Sequence, residues 1–368
     1  MMETRLLDRD TRNDILTICR REFEGVFAVA ANPPNIYGDD EAESRVDVTV
    51  ILEPSEHRLS YERESSKGGA LSILAVDRKT FEKDVENDWL GGALVDNLLV
   101  PYEPIINESF LWSQEVKAKK RIILETINNL ILEYPEISRE ILIKPEFFMW
   151  EAISRKASLY PPIICKILSV FEESAGGEAK RKIMEGFKAA LEEAEKEKVI
   201  SFHNEYVKIN EEYIKNVKRR KLRLLIFLRN VRNSILRYSI EVVPKMMLNL
   251  FEDYIMYVKK SAIEGRILPE LEDTRRLIYI PTSQGLVSLS DKLTLGDFVS
   301  RTFSKDRGLN IRVERLGGVL NSVYLVSLLD GKDAKRNVVK LFKSWYGLKW
   351  LPIALWALGT RGFAVLGK

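Results

Sequence analysis

Apolar runs of strand length alternate with polar segments through the first 110 residues of the chain. An amphipathic helix is predicted over about 8–23, and another helix begins near Arg78. Three apolar runs predict buried strands: GVFAVAA (25–31), VDVTVILE (46–53) and ALSILAV (70–76). The polar segment HRLSYERESSKGG, which precedes the last of them, predicts a loop or an edge hairpin. This order of elements predicts a small mixed sheet with flanking helices.

From Glu115 to about Lys260 the apolar positions recur at helical spacing. A helix over 114–134 stops before Pro135, and GGEAKRKIMEGFKAALEEAEKEKVI (176–200) predicts an amphipathic helix. SFHNEYVKIN then predicts a short hairpin, and a further helix follows it. Helix, hairpin and helix in this order are expected of a winged helix, although plain helix connections give the same pattern.

The last third of the chain is predicted to be rich in β-strands. A connector with Pro281 and Gly285 leads to alternating apolar runs beyond residue 310. We therefore expect an α+β multidomain protein in three parts. These are a small mixed-sheet α/β domain (1–112), a helical region (113–268) with a winged helix at 178–215, and a β-rich part (269–368).

Composition narrows the functional classes only slightly. The 368 residues are 45% hydrophobic and 30% charged, and their net charge of +3 gives no global argument for nucleic acid. The two cysteines, Cys19 and Cys165, suggest no disulfide framework, so we expect a reducing, cytoplasmic compartment. Two histidines argue against histidine-based metal or triad chemistry. No signal peptide or membrane span is predicted, and abundant Lys, Arg and Glu favour a thermophile.

The segment LGGVLNSVYLVSLLDGKDAKRNVVKLF (316–342) carries the most specific pattern. Gly317 and Gly318 have no Cβ atoms, so their backbone N–H groups can approach phosphates closely. Ser322 follows on an alternating strand, and Lys340 lies on the next strand, where a lysine can pair with α- and β-phosphates. A plain antiparallel hairpin with Lys340 in water explains the pattern as well.

This segment resembles the N-terminal part of a protein-kinase small lobe. The residues after Lys340 resemble an insert of the atypical archaeal serine/threonine kinases related to the RIO type. The resemblance covers residues 310–368 and implies ATP bound by Gly317, Gly318, Ser322 and Lys340. Magnesium is implied only with a complete kinase lobe. The sequence contains no His-Arg-Asp loop and no Asp-Phe-Gly, so we expect no complete kinase here. An apolar stretch at 345–368, with Trp350 and Trp356, is then expected to meet a further lobe or a protein partner.

Residues 25–53 resemble the nucleotidyltransferases of the polymerase-beta type. In that family a Gly-Ser turn precedes a strand with Asp-x-Asp, whose two carboxylates bind magnesium. Here AANPPN replaces the turn and Arg45 stands at the first carboxylate position, which leaves Asp47 as a weak catalytic candidate. The resemblance implies either an active transferase or a degenerate scaffold. Asp77 and Asp84 are interpreted as helix-start acids.

A basic helix over 215–237 contains nine lysines and arginines and no acid. Its cluster of Lys218, Arg219, Arg220, Lys221 and Arg223 could contact phosphates of DNA or RNA. The alternative is a bundle helix whose cations pair with nearby acids. The leading hypothesis is a kinase-like protein whose front domains recognise a partner. A non-catalytic nucleic-acid adaptor is the alternative, and a nucleotidyltransferase acting through Asp47 is third.

Overall fold

The structure, a computed structural model, describes these residues: 7–32, 45–53, 59–66, 69–88, 94, 96–134, 137–159, 176–219, 274–282, 285–289, 310–317, 321–330 and 333–342. The chain divides into two compact units. The first comprises Met1–Arg139, Cys165–Phe202 and Ile209–Ile263, and the second Glu140–Ile164, His203–Lys208 and Glu264–Lys368. The predicted α+β multidomain class is confirmed, and the three predicted domain boundaries stay predictions.

The first unit contains a five-stranded mixed sheet in the order β3-β4-β2-β1-β5. Its strands are β1 (Val26–Ala31), β2 (Arg45–Leu52), β3 (Leu59–Ser66), β4 (Gly69–Asp77) and β5 (Glu103–Ile106). Strands β2 and β4 are parallel, whereas the other neighbours are antiparallel. Every residue of β2 is buried, as its β-branched run RVDVTVIL favours. The small mixed sheet is as predicted. The polar segment before β4 was predicted to be a loop or an edge hairpin, and the edge hairpin is found, because β3 pairs antiparallel with β4 at the edge of the sheet.

Helices cover both faces of this sheet. Helix α1 (Arg9–Glu22) packs on the face of the core cluster that includes Val48, Val50 and Ile73. The opposite face, with Ile51 and Leu74, is covered by α2 (Arg78–Asn87) and the start of α3 (Glu108–Glu133). Residues of one strand alternate between the two faces, so each position of β2 and β4 can be assigned to one core.

The two aspartates of the α2 region have different roles. Asp77 is the N-cap of α2 and accepts a hydrogen bond from the Thr80 N–H at 2.9 Å, as a helix-start acid should. The same interpretation of Asp84 is wrong. Asp84 lies in the last turn, is fully buried, and accepts a hydrogen bond from the backbone N–H of Leu94 at 3.0 Å. Asp84 therefore holds Leu94, six residues beyond the C-cap Asp88, by this hydrogen bond.

Helix α3 packs against α5 (Gly176–Lys196) through a buried ion pair. Lys119 and Glu115 pair within α3, and Lys119 also donates to the Ile183 carbonyl at 2.8 Å. Tyr102 donates its hydroxyl to the other oxygen of Glu115 at 2.9 Å. Burial lowers the pKa of Lys119 and raises that of Tyr102. The network has a charged or polar partner for each of these groups.

The predicted order of helix, hairpin and helix is found. After α5 come β7 (Ile200–His203), β8 (Tyr206–Ile209) and α6 (Glu211–Arg219). The Asn210 side chain closes the hairpin base by donating to the carbonyls of Lys198 and Ile200, at 2.8 and 3.0 Å. Whether this element acts as a winged helix stays a prediction.

The remaining strands form two further sheets. The second sheet has the order β10-β9-β6-β8-β7, with β6 (Leu142–Ile143) preceding α4 (Glu146–Leu159), and with β9 (Ile278–Thr282) and β10 (Gly285–Ser288) from the predicted connector. The third is an antiparallel meander of β11 (Asn310–Gly317), β12 (Asn321–Asp330) and β13 (Asp333–Phe342). In the described part of the chain, no helix is long and apolar enough to cross a membrane.

Candidate functional site

The candidate site lies at the polar end of the first sheet, where β2 begins. Arg45 and Asp47 stand two residues apart on this strand, and their side chains therefore share a face. Arg45 Nε lies 3.7 Å from Asp47 Oδ1, and both residues are 8% exposed. A guanidinium thus lies beside the carboxylate that the sequence singled out as a catalytic candidate. In this low-exposure setting the two charges offset each other.

Two asparagines build the neighbouring part of the site. Asn32, just past β1, donates through Nδ2 to the carbonyls of Asn97 and Pro101, at 2.9 and 3.1 Å. Its backbone N–H donates to the Asp47 carbonyl at 2.9 Å, which places Asn32 beside Asp47 in the sheet. Asn97 donates through Nδ2 to Thr49 Oγ1 at 2.8 Å. These bonds tie the ends of three chain segments together and hold Thr49 in place.

Ser72 lies directly opposite Asp47 on the parallel strand β4. Its side chain shares the face of Ile51 and Leu74, because paired residues of neighbouring strands point to the same side. Ser72 is 2% exposed, and its hydroxyl makes no hydrogen bond within the described structure. Buried hydroxyl groups usually have a hydrogen-bond partner, so the Ser72 hydroxyl is a candidate contact for a ligand.

The site does not fit the magnesium that the nucleotidyltransferase resemblance implies. A two-carboxylate metal site needs a second acid near Asp47, and the two adjacent positions hold Arg45 and Ser72. Nowhere in the described ranges do three or more His, Cys, Asp or Glu side chains form a group that could hold a metal ion. The loop acids Asp39 to Glu43 lie outside the described residues. We derive no metal-dependent step through Asp47.

Cys19, a potential nucleophile by residue type, is a core residue of the first unit. It is fully buried on α1, and burial raises the pKa of its thiol to about 11. A thiol with this pKa is protonated at neutral pH and therefore a poor nucleophile. Its role is packing.

The C-terminal meander aligns the residues of the glycine-lysine segment by backbone register. Gly317 on β11 pairs with Val323 on β12, and Val323 pairs in turn with Lys340 on β13. Ser322 is one position away and pairs with Leu341. Gly317, Val323 and Lys340 therefore form one row across three strands, at two strand spacings or about 10 Å from end to end. Gly318, and the orientation of the Lys340 side chain, lie outside what the structure describes.

Little of the predicted basic cluster can be placed. Lys218 and Arg219 end α6, whose first turn is acidic with Glu211 and Glu212. Arg220, Lys221 and Arg223 lie beyond the described residues, as do most of the helix predicted over 215–237 and the apolar stretch 345–368. The nucleic-acid hypothesis therefore stays a prediction.

The sequence singled out Asp47 and Arg45 but not the other residues of the site. Ser72 looks like an ordinary member of the buried run ALSILAV, and only the parallel register of β2 and β4 brings it to Asp47. Asn32 and Asn97 are 65 residues apart. The available signal for Ser72 was its polarity inside an otherwise apolar strand.

Comparison with known proteins adds little to this geometry. No family model matches the chain, and neither does any curated protein. Among solved structures the chain is similar to a nucleotidyltransferase-like protein from Exiguobacterium sibiricum 255-15. That match has 10% sequence identity and a TM-score of 0.24, and covers 91% of this chain and 100% of the other. A likeness this weak carries no weight for fold or function.

Proposed function

We propose that this chain is the partner-recognition and ATP-binding part of an atypical protein-kinase-like protein. The observation that supports the proposal is the row of Gly317, Val323 and Lys340 across the C-terminal meander. A glycine at the end of one strand and a lysine two strands away are the two elements that a kinase small lobe uses to hold nucleotide phosphates. Gly318 and Ser322 complete the proposed phosphate-covering turn.

The assigned activity is binding, without phosphoryl transfer. Transfer requires an aspartate near the acceptor hydroxyl and carboxylates on magnesium, and the 368 residues contain neither a His-Arg-Asp loop nor Asp-Phe-Gly. Magnesium would act here only together with a complete kinase lobe. The front domain, in which Arg45 neutralises Asp47, is proposed to serve recognition.

The test compares two lysines of the same strand. Lys340→Met removes the proposed phosphate contact, whereas Lys335→Met removes a lysine five positions away that pairs with Leu328. We expect Lys340→Met to weaken binding of a fluorescent ATP analogue by at least about tenfold, since it loses a charged hydrogen bond. Lys335→Met should bind like the unchanged protein. Absence of ATP binding in the unchanged chain, or equal losses in both variants, would overturn the proposal.

A second candidate function is a nucleic-acid-binding adaptor. It is favoured by the helix–hairpin–helix order of α5, β7, β8 and α6, with Phe202, His203 and Lys208 exposed on the hairpin. Hairpins of winged helices contact nucleic-acid backbones in this way, and the cations of the 215–237 segment would add phosphate contacts.

This candidate is tested by fluorescence anisotropy with duplex DNA at two salt concentrations. Reversing the charge of Lys218, Arg219, Arg220, Lys221 and Arg223 should weaken binding and flatten its salt dependence. Reversing three exposed cations outside this element, Arg9 on α1 and Lys79 and Lys83 on α2, is the control. Binding that is absent, insensitive to salt, or lost equally in both variants would eliminate the adaptor.

A further inference from the structure

The polar end of the first sheet carries a continuous row of polar residues. Asn32, directly after β1, lies beside Asp47 on β2, which is followed across the sheet by Ser72 on β4 and Arg63 on β3. Arg63 pairs directly with Ser72 across the antiparallel β3–β4 ladder. Its neighbours Leu59 and Tyr61, at the same alternate positions of β3, pack on the core that faces α2 and α3. The four residues therefore share one face of the sheet.

The charges of this row favour an anion. Arg45, one pleat away from Asp47 on β2, and Arg63 on β3 contribute two positive charges against the single carboxylate of Asp47. Guanidinium groups bind phosphate oxygens through forked N–H donors, and do so best where solvent is scarce. Arg45 is almost fully buried, whereas Arg63 is exposed and connects the row to solvent.

The hydroxyl of Ser72 supplies an independent observation. It lies between Asp47 and Arg63, is 2% exposed, and has no hydrogen-bond partner among the described residues. An unpaired buried hydroxyl is costly, and a ligand oxygen that accepts its proton would remove this cost. An anionic ligand would be attracted here and a metal cation repelled, because Arg45 and Arg63 carry two positive charges and Asp47 carries one negative charge.

We propose that Arg45, Ser72 and Arg63 form a metal-independent binding site for a phosphate group. Ser72 donates its hydroxyl and the two arginines supply the countercharge. Asp47 holds Arg45 in place and has no catalytic part. The ligand is either free phosphate or the phosphate end of a nucleotide, which present the same oxygens. This site is separate from the proposed ATP contact at Lys340, and each stands without the other.

The experiment measures binding by titration calorimetry with EDTA present, in the full chain carrying Lys340→Met. Inorganic phosphate and ATP are titrated separately. We expect at least one to bind, with Ser72→Ala weakening it about two- to tenfold and Arg63→Gln at least about tenfold. Binding of ATP alone identifies a nucleotide as the source, and binding of phosphate alone identifies the free ion.

Two variants of the same unit, one on the sheet and one on α1, are matched controls. Ser60 on β3 also has a buried unpaired hydroxyl, but it pairs with Ala75 and thus belongs to the opposite face. Arg21 on α1 is exposed and pairs with Glu22 and Glu64. Ser60→Ala and Arg21→Gln should leave binding unchanged.

Three results would overturn the site: no binding of either ligand, equal effects in Ser72→Ala and Ser60→Ala, or binding that requires magnesium. No binding of either ligand to the Lys340→Met chain, combined with ATP binding to the unchanged chain, is the outcome that separates the two proposals. That last result would instead support the C-terminal proposal, so failure of one proposal is distinguishable from failure of the other.

Discussion

Two buried ion pairs in the first unit differ in the groups that lie beside them. Beside the ion pair of Glu115 and Lys119, the Tyr102 hydroxyl donates a hydrogen bond to Glu115. Lys119 Nζ donates one to the Ile183 carbonyl and lies 5.0 Å from the centre of the Phe187 ring. Arg45 and Asp47 are 3.7 Å apart and lie beside a serine hydroxyl without a partner. The hydrogen-bonded network between the two helices serves packing, whereas the buried Ser72 hydroxyl without a partner at the sheet end is where a ligand gains most.

The comparison predicts its largest effect at the Glu115–Lys119 pair. Lys119→Met leaves the Glu115 carboxylate buried without its cation, and we expect a loss of about 3–5 kcal/mol in the free energy of unfolding. Chemical denaturation measures it.

Replacing both charged groups tests whether the pair itself stabilises the fold. The double variant Glu115→Gln with Lys119→Met should recover part of the loss, since no unpaired charge remains. A single Lys119→Met variant as stable as the unchanged protein would show that the pair is not buried as described.

A smaller loss is expected at Gly186, which lies against the same pair. A Cβ at this position would overlap a carboxylate oxygen of Glu115 and lie 2.8 Å from Lys119 Nζ. Gly186→Ala should therefore cost about 1–3 kcal/mol through overpacking, despite the better helix propensity of alanine. Thermal unfolding monitored by circular dichroism measures this.

Gly177, on the same helix, is the matched control for that substitution. A Cβ there would meet nothing within 4 Å. Gly177→Ala should be neutral or stabilise by up to about 1 kcal/mol. A cost shared by both substitutions would point to the helix backbone and away from the ion pair.

At the end of the first sheet, removing a hydroxyl should lower the free energy of unfolding by less than these changes at the Glu115–Lys119 pair. Thr49→Val removes the acceptor of the Asn97 amide and should cost about 1 kcal/mol. Ser72→Ala removes a hydroxyl without a partner, so in phosphate-free buffer it should leave the stability unchanged or raise it. Equal losses for the two variants would mean that Ser72 is hydrogen-bonded.

The smallest effect is a pH dependence at the N-cap of α1. The Thr11 hydroxyl, and then the Thr11 N–H, hold the pKa of Asp8 below its ordinary value of 3.8. The ionised cap therefore stabilises α1 above pH 3.8, and this contribution is lost as the pH falls through the lowered pKa. The stability difference between the unchanged protein and Asp8→Ala should shrink below pH 3.8. A stability difference that stays constant as the pH falls below 3.8 would contradict this role of the ionised cap.

Local patterns in the sequence were sufficient for the elements but not for the contacts between distant segments. The run RVDVTVIL predicted β2, and helical spacing predicted α3 and α5, because side-chain period reports which face is buried. The partner of each element depends on long-range packing. The misassigned Asp84 shows this, since its acceptor role depends on Leu94 beyond the helix.

The candidate site shows the same limit. Arg45 and Asp47 are neighbours on one strand, so the sequence could single them out together. Ser72 and Arg63 join them only through the register of β4 with its two neighbouring strands. In the C-terminal meander the sequence likewise placed Lys340 on the strand after Ser322, but its pairing with Val323 became known only from the register of β12 with β13.

The first unit is assembled from three separated stretches of chain. A truncation or a proteolytic cut between these stretches therefore separates residues that contact each other in the fold. A fragment ending at Arg139 would keep every strand of the first sheet but lose α5. It would therefore lose the Ile183 carbonyl, which accepts a hydrogen bond from Lys119 Nζ. Ile183 lies 64 residues after Lys119 in the chain. During synthesis, the charged pair of α3 therefore stays without this partner until α5 has been made. Limited proteolysis between the two helices should therefore leave the pieces bound to each other.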